Sequence, residues 1–258
     1  MNVHDEEERK KYEQTFHNKL VKKPTKERFT PYDDQLLGPL EKEADDFLGD
    51  LKGKELLFYG CGIDWSTANK FYISGCPVTM IDISDESIEI LQRKIQEMHQ
   101  EGGIVPLQMD CEELQFESAR FDLVFGRAIL HHLDMEKALK EIRRVLKPGG
   151  KAVFIEPLGL NPFINLYRKL TPHLRTPFEH PLVKEDFVIS KKIFDDVTYK
   201  EFTFLTFFGI GLNFLCAKFG LQPFSLKKFQ EIDLSLLKRF PFLGMYYWNV
   251  VLCLRKKE

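Results

Sequence analysis

Leu56-Leu57-Phe58-Tyr59-Gly60-Cys61-Gly62 decides how this chain folds. Four apolar residues without polar alternation suit a strand buried on both faces, as in a parallel sheet. Two glycines around Cys61 then let the backbone turn sharply and approach a ligand closely. Outward from this turn the pattern repeats. Val78–Ile81, Ile104–Gln108, Phe121–Phe125 and Ala152–Ile155 read as further strands. Between them, Ser66–Ile73 and the stripes Ile88/Leu91/Ile95/Met98 and Met135/Leu139/Ile142/Leu146 read as helices. Ser84 and Asp134 stand where N-caps belong, and Lys147-Pro148-Gly149-Gly150 stops the last helix. Strand–helix alternation at this spacing predicts an α/β, doubly wound, mostly parallel sheet.

On either side of residues 51–158 the character changes. Residues 1–50 are highly charged and helical in pattern, with Tyr12, Phe16 and Leu20 spaced four apart and Pro24 and Pro31 as interruptions. This stripe reads as packing or as a lid. Residues 159–258 hold fourteen of the 23 phenylalanines. There Val197–Phe207 and Tyr246–Leu254 read as strands, with a mostly helical Leu212–Arg239 between them. The expected organisation is an N-terminal arm (1–50), a ligand-binding core (51–158) and a cap with closing strands (159–258).

The 258 residues carry 37 basic and 39 acidic side chains, a net charge of −2, which lacks the broad basic footprint of a general nucleic-acid binder. Five scattered cysteines without CxxC spacing suggest neither a zinc site nor a disulfide framework. The longest uncharged run, Phe202–Ala217, is too short for the ~20 apolar residues of a spanning helix, and the N-terminus lacks an apolar signal region. The expectation is a cytoplasmic protein with reduced thiols, no transmembrane segment and no metal.

In open α/β sheets ligands bind beyond the carboxyl ends of the strands. The first strand ends in Tyr59-Gly60-Cys61-Gly62 and the second in Asp82, whose carboxylate can accept hydrogen bonds from ribose hydroxyls. Together they point to a nucleoside ligand. The dinucleotide fingerprint wants a third glycine where this chain has Trp65, and Asp64 puts negative charge where a pyrophosphate would sit. Both features disfavour an NAD-linked oxidoreductase.

Five ordered blocks then resemble the class I S-adenosylmethionine-dependent methyltransferases, in their small-molecule branch. They are Leu56–Gly62, Ile81-Asp82-Ile83-Ser84, Met109-Asp110-Cys111, Phe121–Leu133 and Leu146–Gly150. The resemblance implies a seven-stranded Rossmann-like sheet whose last strand is antiparallel. It also implies S-adenosyl-L-methionine as cofactor, held by Tyr59, Gly60, Cys61, Gly62, Asp82, Ile83, Asp110, Cys111 and Arg127, with Asp110 at the adenine. Family members usually carry an acidic residue at the position of Phe58 and a glycine at that of Asp64. Asp64 is therefore a candidate replacement carboxylate for the methionine ammonium. The implied reaction is methyl transfer to oxygen, nitrogen or carbon of a small, fairly apolar, lipid-like or aromatic acceptor. His131, His132 and His180 are the candidate bases, and Phe207–Gly211 is the expected pocket wall. The rival readings are a binding protein of this fold without turnover, and a methyltransferase acting on protein or RNA. The latter lacks its Asn-Pro-Pro-Tyr type signature after the fourth strand. Acceptor and oligomeric state stay open.

Overall fold

A computed structural model describes residues 3–22, 34–223 and 225–257. Pro24 and Pro31 lie outside these residues. Seven strands form one sheet: β1 (Leu56–Tyr59), β2 (Val78–Asp82), β3 (Ile104–Gln108), β4 (Phe121–Arg127), β5 (Leu146–Pro157), β6 (Asp196–Phe202) and β7 (Asn249–Arg255). Their spatial order is β3-β2-β1-β4-β5-β7-β6, with β7 antiparallel to both its neighbours and the others parallel. The chain thus reverses its winding between β1 and β4, which opens a crevice at the carboxyl ends of those two strands.

Alternate residues of the buried strands feed two cores, as a two-residue side-chain period requires. Leu56, Phe58, Met80 and Phe125 pack beneath α2 (Asp34–Leu48), α3 (Trp65–Ile73) and α4 (Asp85–Glu97). Leu57, Tyr59 and Val124 pack on the other side beneath α5 (Met135–Val145) and α7 (Lys184–Ile193). Phe58, where an acidic residue is usual, is almost fully buried and meets Phe125 edge to face at 5.2 Å between ring centroids. A carboxylate there would be desolvated by aromatic rings, so this core accounts for the departure. The caps are as expected: Ser84 accepts from the amide of Ser87, and Asp134 from those of Glu136 and Lys137.

The cap differs from the strand–helix–strand expectation. β6 stops at Phe202 because Thr203 adopts a left-handed backbone (φ 69°). Buried Asp233, in α9 (Lys227–Arg239), then collects the amides of Phe204, Leu205 and Thr206, and these start α8 (Thr206–Lys218). A carboxylate at the positive end of a helix is favourable, and it overrides the β preference of the aromatic run. Phe207–Gly211 is therefore helical. Residues Pro241–Tyr246 form a tight helical turn, so β7 begins only at Asn249. Among the described residues no helix is long and apolar enough to cross a membrane.

Candidate functional site

The turn after β1 is built as its glycines require. Gly60 and Gly62 take left-handed backbone angles (φ 64° and 53°). A Cβ on Gly60 would lie 2.3 Å from Ile129 Cγ1, whereas one on Gly62 would meet nothing within 4 Å. The first glycine thus permits packing against the loop after β4, and the second leaves its backbone open to a cavity. Asp82 fixes the turn: one carboxylate oxygen accepts from Gly62 N at 2.8 Å and the other from Ser84 N at 2.9 Å. Each oxygen keeps capacity for a further donor.

A cavity of about 210 Å³ opens here, lined by Gly60, Cys61, Gly62, Asp82, Ile83, Asp110, Cys111 and Arg127 among others. Eight of the ten expected ligand-binding residues therefore meet on one wall; the other two do not. Tyr59 is fully buried on the opposite core face, its hydroxyl donating to the Cys111 carbonyl. Asp64 caps α3 by accepting from Thr67 N and pairs with Arg127, which also holds Glu41 at 2.9 Å. Arg127 thereby neutralises Asp64. Burial pushes the Cys61 and Cys111 thiols well above their usual range, so neither is a nucleophile.

The roof of this cavity is α1 (Val3–Val21). Arg9 reaches both carboxylate oxygens of buried Glu112, at 2.6 and 2.7 Å, and donates to the His132 carbonyl. Lys10 lies 2.7 Å from Asp110, the residue expected at the adenine. Glu13 is buried; its Oε1 accepts from Thr176 Oγ1, and its Oε2 lies 3.2 Å from His132 Nδ1 and 3.5 Å from His17 Nε2. Burial alone would raise Glu13, yet the two imidazoles and Thr176 hold it well below the usual carboxylate range. Burial would likewise lower His17, but Glu13, with the fields of Asp82 and Glu179, raises it. His132 is pushed down by burial and by neighbouring His131.

Ala128 also lines a second cavity of about 180 Å³, walled by Ile164, Leu174, Trp248, Arg168, Arg175 and Glu179 among others. His131 faces this side. Its Nδ1 is 2.8 Å from Glu156 Oε2, while Glu156 Oε1 accepts from the amides of Ile129 and Leu130, both at 2.9 Å. A carboxylate only accepts, so the imidazole proton sits on Nδ1 and Nε2 is the basic nitrogen. His180 stands apart: its ring is largely exposed, 3.2 Å from Asp186, and only its amide reaches the site, donating to the His131 carbonyl. Phe207 and Ile210 sit one layer behind the second cavity, packed on Ile164 and Trp248. Sequence reasoning missed Arg9, Glu13, Glu112, Arg168, Arg175 and Glu156. Only Glu156 carried a signal, as the carboxylate that ends a central strand.

Residues 57–154 match the methyltransferase domain family. A demethylmenaquinone methyltransferase of Lactococcus lactis is 36% identical over 145 residues, 52% of this chain and 57% of the relative. The O-methyltransferase cnsE of Penicillium expansum is 29% identical over 153 residues, 57% of this chain and 53% of the relative. This chain spans about half the length of the curated relatives it matches. In structure, a geranyl diphosphate C-methyltransferase of Streptomyces coelicolor A3(2) superposes with TM-score 0.60 at 13% identity, covering 92% of this chain and 84% of that one. The doubly wound core, with its glycine turn and Asp82, is thus similar to S-adenosylmethionine-dependent methyltransferases over residues 57–154.

Proposed function

We propose that the chain transfers the methyl group of S-adenosyl-L-methionine to a small, largely apolar acceptor seated in the second cavity. The observation that carries this reading is the meeting of the two cavities at Ala128, one bearing the nucleoside-binding wall and the other an oriented His131–Glu156 pair.

The residues fit the cofactor. In the first cavity Arg9 and Lys10 engage Glu112 and Asp110, whereas Asp82 is held by backbone amides and keeps its charge for the ligand. Asp82 stands to accept the ribose hydroxyls, and the open face of Gly62 lets the methionine end approach backbone. The sulfonium supplies an already activated methyl, so the protein's main task is alignment. His131 adds a base for an acceptor whose proton must leave, with Glu156 fixing its tautomer. The names of two relatives, a demethylmenaquinone methyltransferase and a polyprenyl-benzoquinol methylase, favour quinone- or quinol-type acceptors with an apolar body, in keeping with Ile164, Leu174 and Trp248 on the wall. The near-neutral charge supports a small molecule over nucleic acid as acceptor, and the five free cysteines suit a reducing, cytoplasmic setting.

The test is transfer of label from methyl-labelled S-adenosylmethionine to a panel of hydroquinones, phenols and amines, read in the organic extract. Labelled product with at least one class supports the reading. Cofactor binding without product from any class would favour a binding protein that lacks turnover.

A further inference from the structure

Two helices of the cap turn their apolar stripes the wrong way. In α6 (Pro162–Leu170), Phe163, Leu166 and Leu170 recur at helical spacing and are 46%, 57% and 71% exposed. In α8 and the turn that ends it, Phe208, Leu212, Leu215 and Phe219 recur at helical spacing and are 42%, 47%, 49% and 73% exposed. A stripe at this spacing normally faces a core. Here the two stripes adjoin, since the rings of Phe163 and Phe208 meet edge to face at 5.0 Å. Together they form an exposed apolar face of the kind that marks a protein or membrane contact.

Within the two segments that carry these helices the formal charges have one sign. From Pro157 to Phe178 the sequence holds Arg168, Lys169 and Arg175 and no acidic residue. From Phe202 to Gln230 it holds Lys218, Lys227 and Lys228, again with no acidic residue. These two segments carry six basic side chains in a chain whose net charge is −2. A second copy of the chain would bring like charges together. Apolar side chains between lysines and arginines instead suit the headgroup boundary of an anionic bilayer, where each basic residue contributes about 1 kcal/mol.

We propose that the α6–α8 face docks the protein on anionic lipid membranes, lying on the surface without spanning it. The placement connects this surface to the second cavity. α6 presents Phe163, Leu166 and Leu170 to solvent, while Ile164, Tyr167 and Arg168 of the same helix line the cavity. Docking therefore brings the acceptor cavity to the lipid boundary, where an apolar acceptor is concentrated. The second part rests on the reading proposed above; membrane docking itself does not.

The experiment is flotation of the whole chain with vesicles of phosphatidylcholine alone and of an equal mixture of phosphatidylcholine and phosphatidylglycerol. The wild type floats with the mixed vesicles, at least about tenfold more than with phosphatidylcholine alone, and raised salt weakens it. Leu166→Ser with Phe219→Ser abolishes flotation, and Lys227→Glu with Lys228→Glu removes the preference for the anionic lipid. All four positions are at the surface, and unchanged stabilisation by S-adenosylhomocysteine confirms that each variant is folded. Absence of flotation, or flotation that survives both double substitutions, overturns the proposal. So does a wild-type dimer in sedimentation that Leu166→Ser with Phe219→Ser breaks, which would make the face a self-association surface. If the vesicles bind but S-adenosylhomocysteine does not, the docking proposal stands and the methyltransferase reading fails.

Discussion

Lys10 and Asp110 are joined across the mouth of the first cavity, Nζ to Oδ2 at 2.7 Å. The carboxylate expected to meet the adenine is thus held by the helix that roofs the site. With α1 in place the cavity is about 210 Å³, below the ~300 Å³ at which small-molecule pockets begin. We propose that α1 moves to admit a nucleoside of the cofactor's size and so acts as a lid.

Stopped-flow binding of S-adenosylhomocysteine checks this. Lys10→Ala is expected to speed both association and dissociation. Arg9→Ala is expected to do so more strongly, because it removes the bidentate partner of buried Glu112 and leaves it only Lys10 at 3.6 Å and the Asp134 amide. Rates unchanged in both variants would mean that α1 does not gate the site.

The latch also depends on pH. Glu13 is depressed, so its contribution to lid docking is present above the ordinary glutamate range and is lost as pH falls through its lowered folded value. His17 is raised, so its contribution is complete below its unfolded value near 6.5 and is lost as pH rises through the raised folded one. Burial pushes His132 down, so acid that would charge it opposes docking; α1 is therefore held most firmly near neutral pH and loosens on the alkaline side. Amide exchange of α1 should follow this profile. Glu13→Gln should return His17 toward its ordinary range in an NMR titration, and an unmoved His17 would contradict the assignment.

The two glycines of the turn separate stability from binding. Gly62→Ala incurs only the left-handed backbone cost of about 1–2 kcal/mol, because its Cβ meets open space, and it is expected to weaken binding at the proposed cofactor wall. Gly60→Ala adds a clash with Ile129 and should destabilise more, with partial rescue by Ile129→Ala. Urea denaturation alongside cofactor titration distinguishes them. Equal stability losses would mean that Ile129 yields freely.

His131→Asn retains a donor toward Glu156 and removes the base. Once an acceptor is in hand, kcat should fall about 10²–10⁴-fold. The pH–rate profile should lose the ionisation that the wild type shows, while affinity for S-adenosylhomocysteine stays the same. An unaltered kcat and profile would show that the acceptor needs no base.

The sheet, the glycine turn and Asp82 were legible in the sequence because each rests on local pattern: apolar runs of strand length, glycines where φ is positive, an acid at a strand end. The contacts that seat α1 over the site were not, since Arg9 meets Glu112 and His132 across 103 and 123 positions. No periodicity encodes such a pairing. Asp64 was misleading for the same reason. Its charge is visible in sequence, but Arg127, 63 positions away, engages it and leaves it a helix cap. The α8 boundary depended on Asp233, whose side chain returns from the next helix to collect amides 27 to 29 positions earlier.

The central claim is that the wall around Gly60-Cys61-Gly62 and Asp82 binds the S-adenosylmethionine nucleoside. Calorimetric titration of S-adenosylhomocysteine into the wild type and Asp82→Asn tests it most directly. Asparagine keeps one acceptor for the turn and removes the charge that the ribose hydroxyls meet. The account predicts one saturable site in the wild type, weakened about tenfold or more by the substitution, the worth of a charged hydrogen bond. No binding to the wild type, binding indifferent to Asp82, or preferential binding of NAD would contradict it.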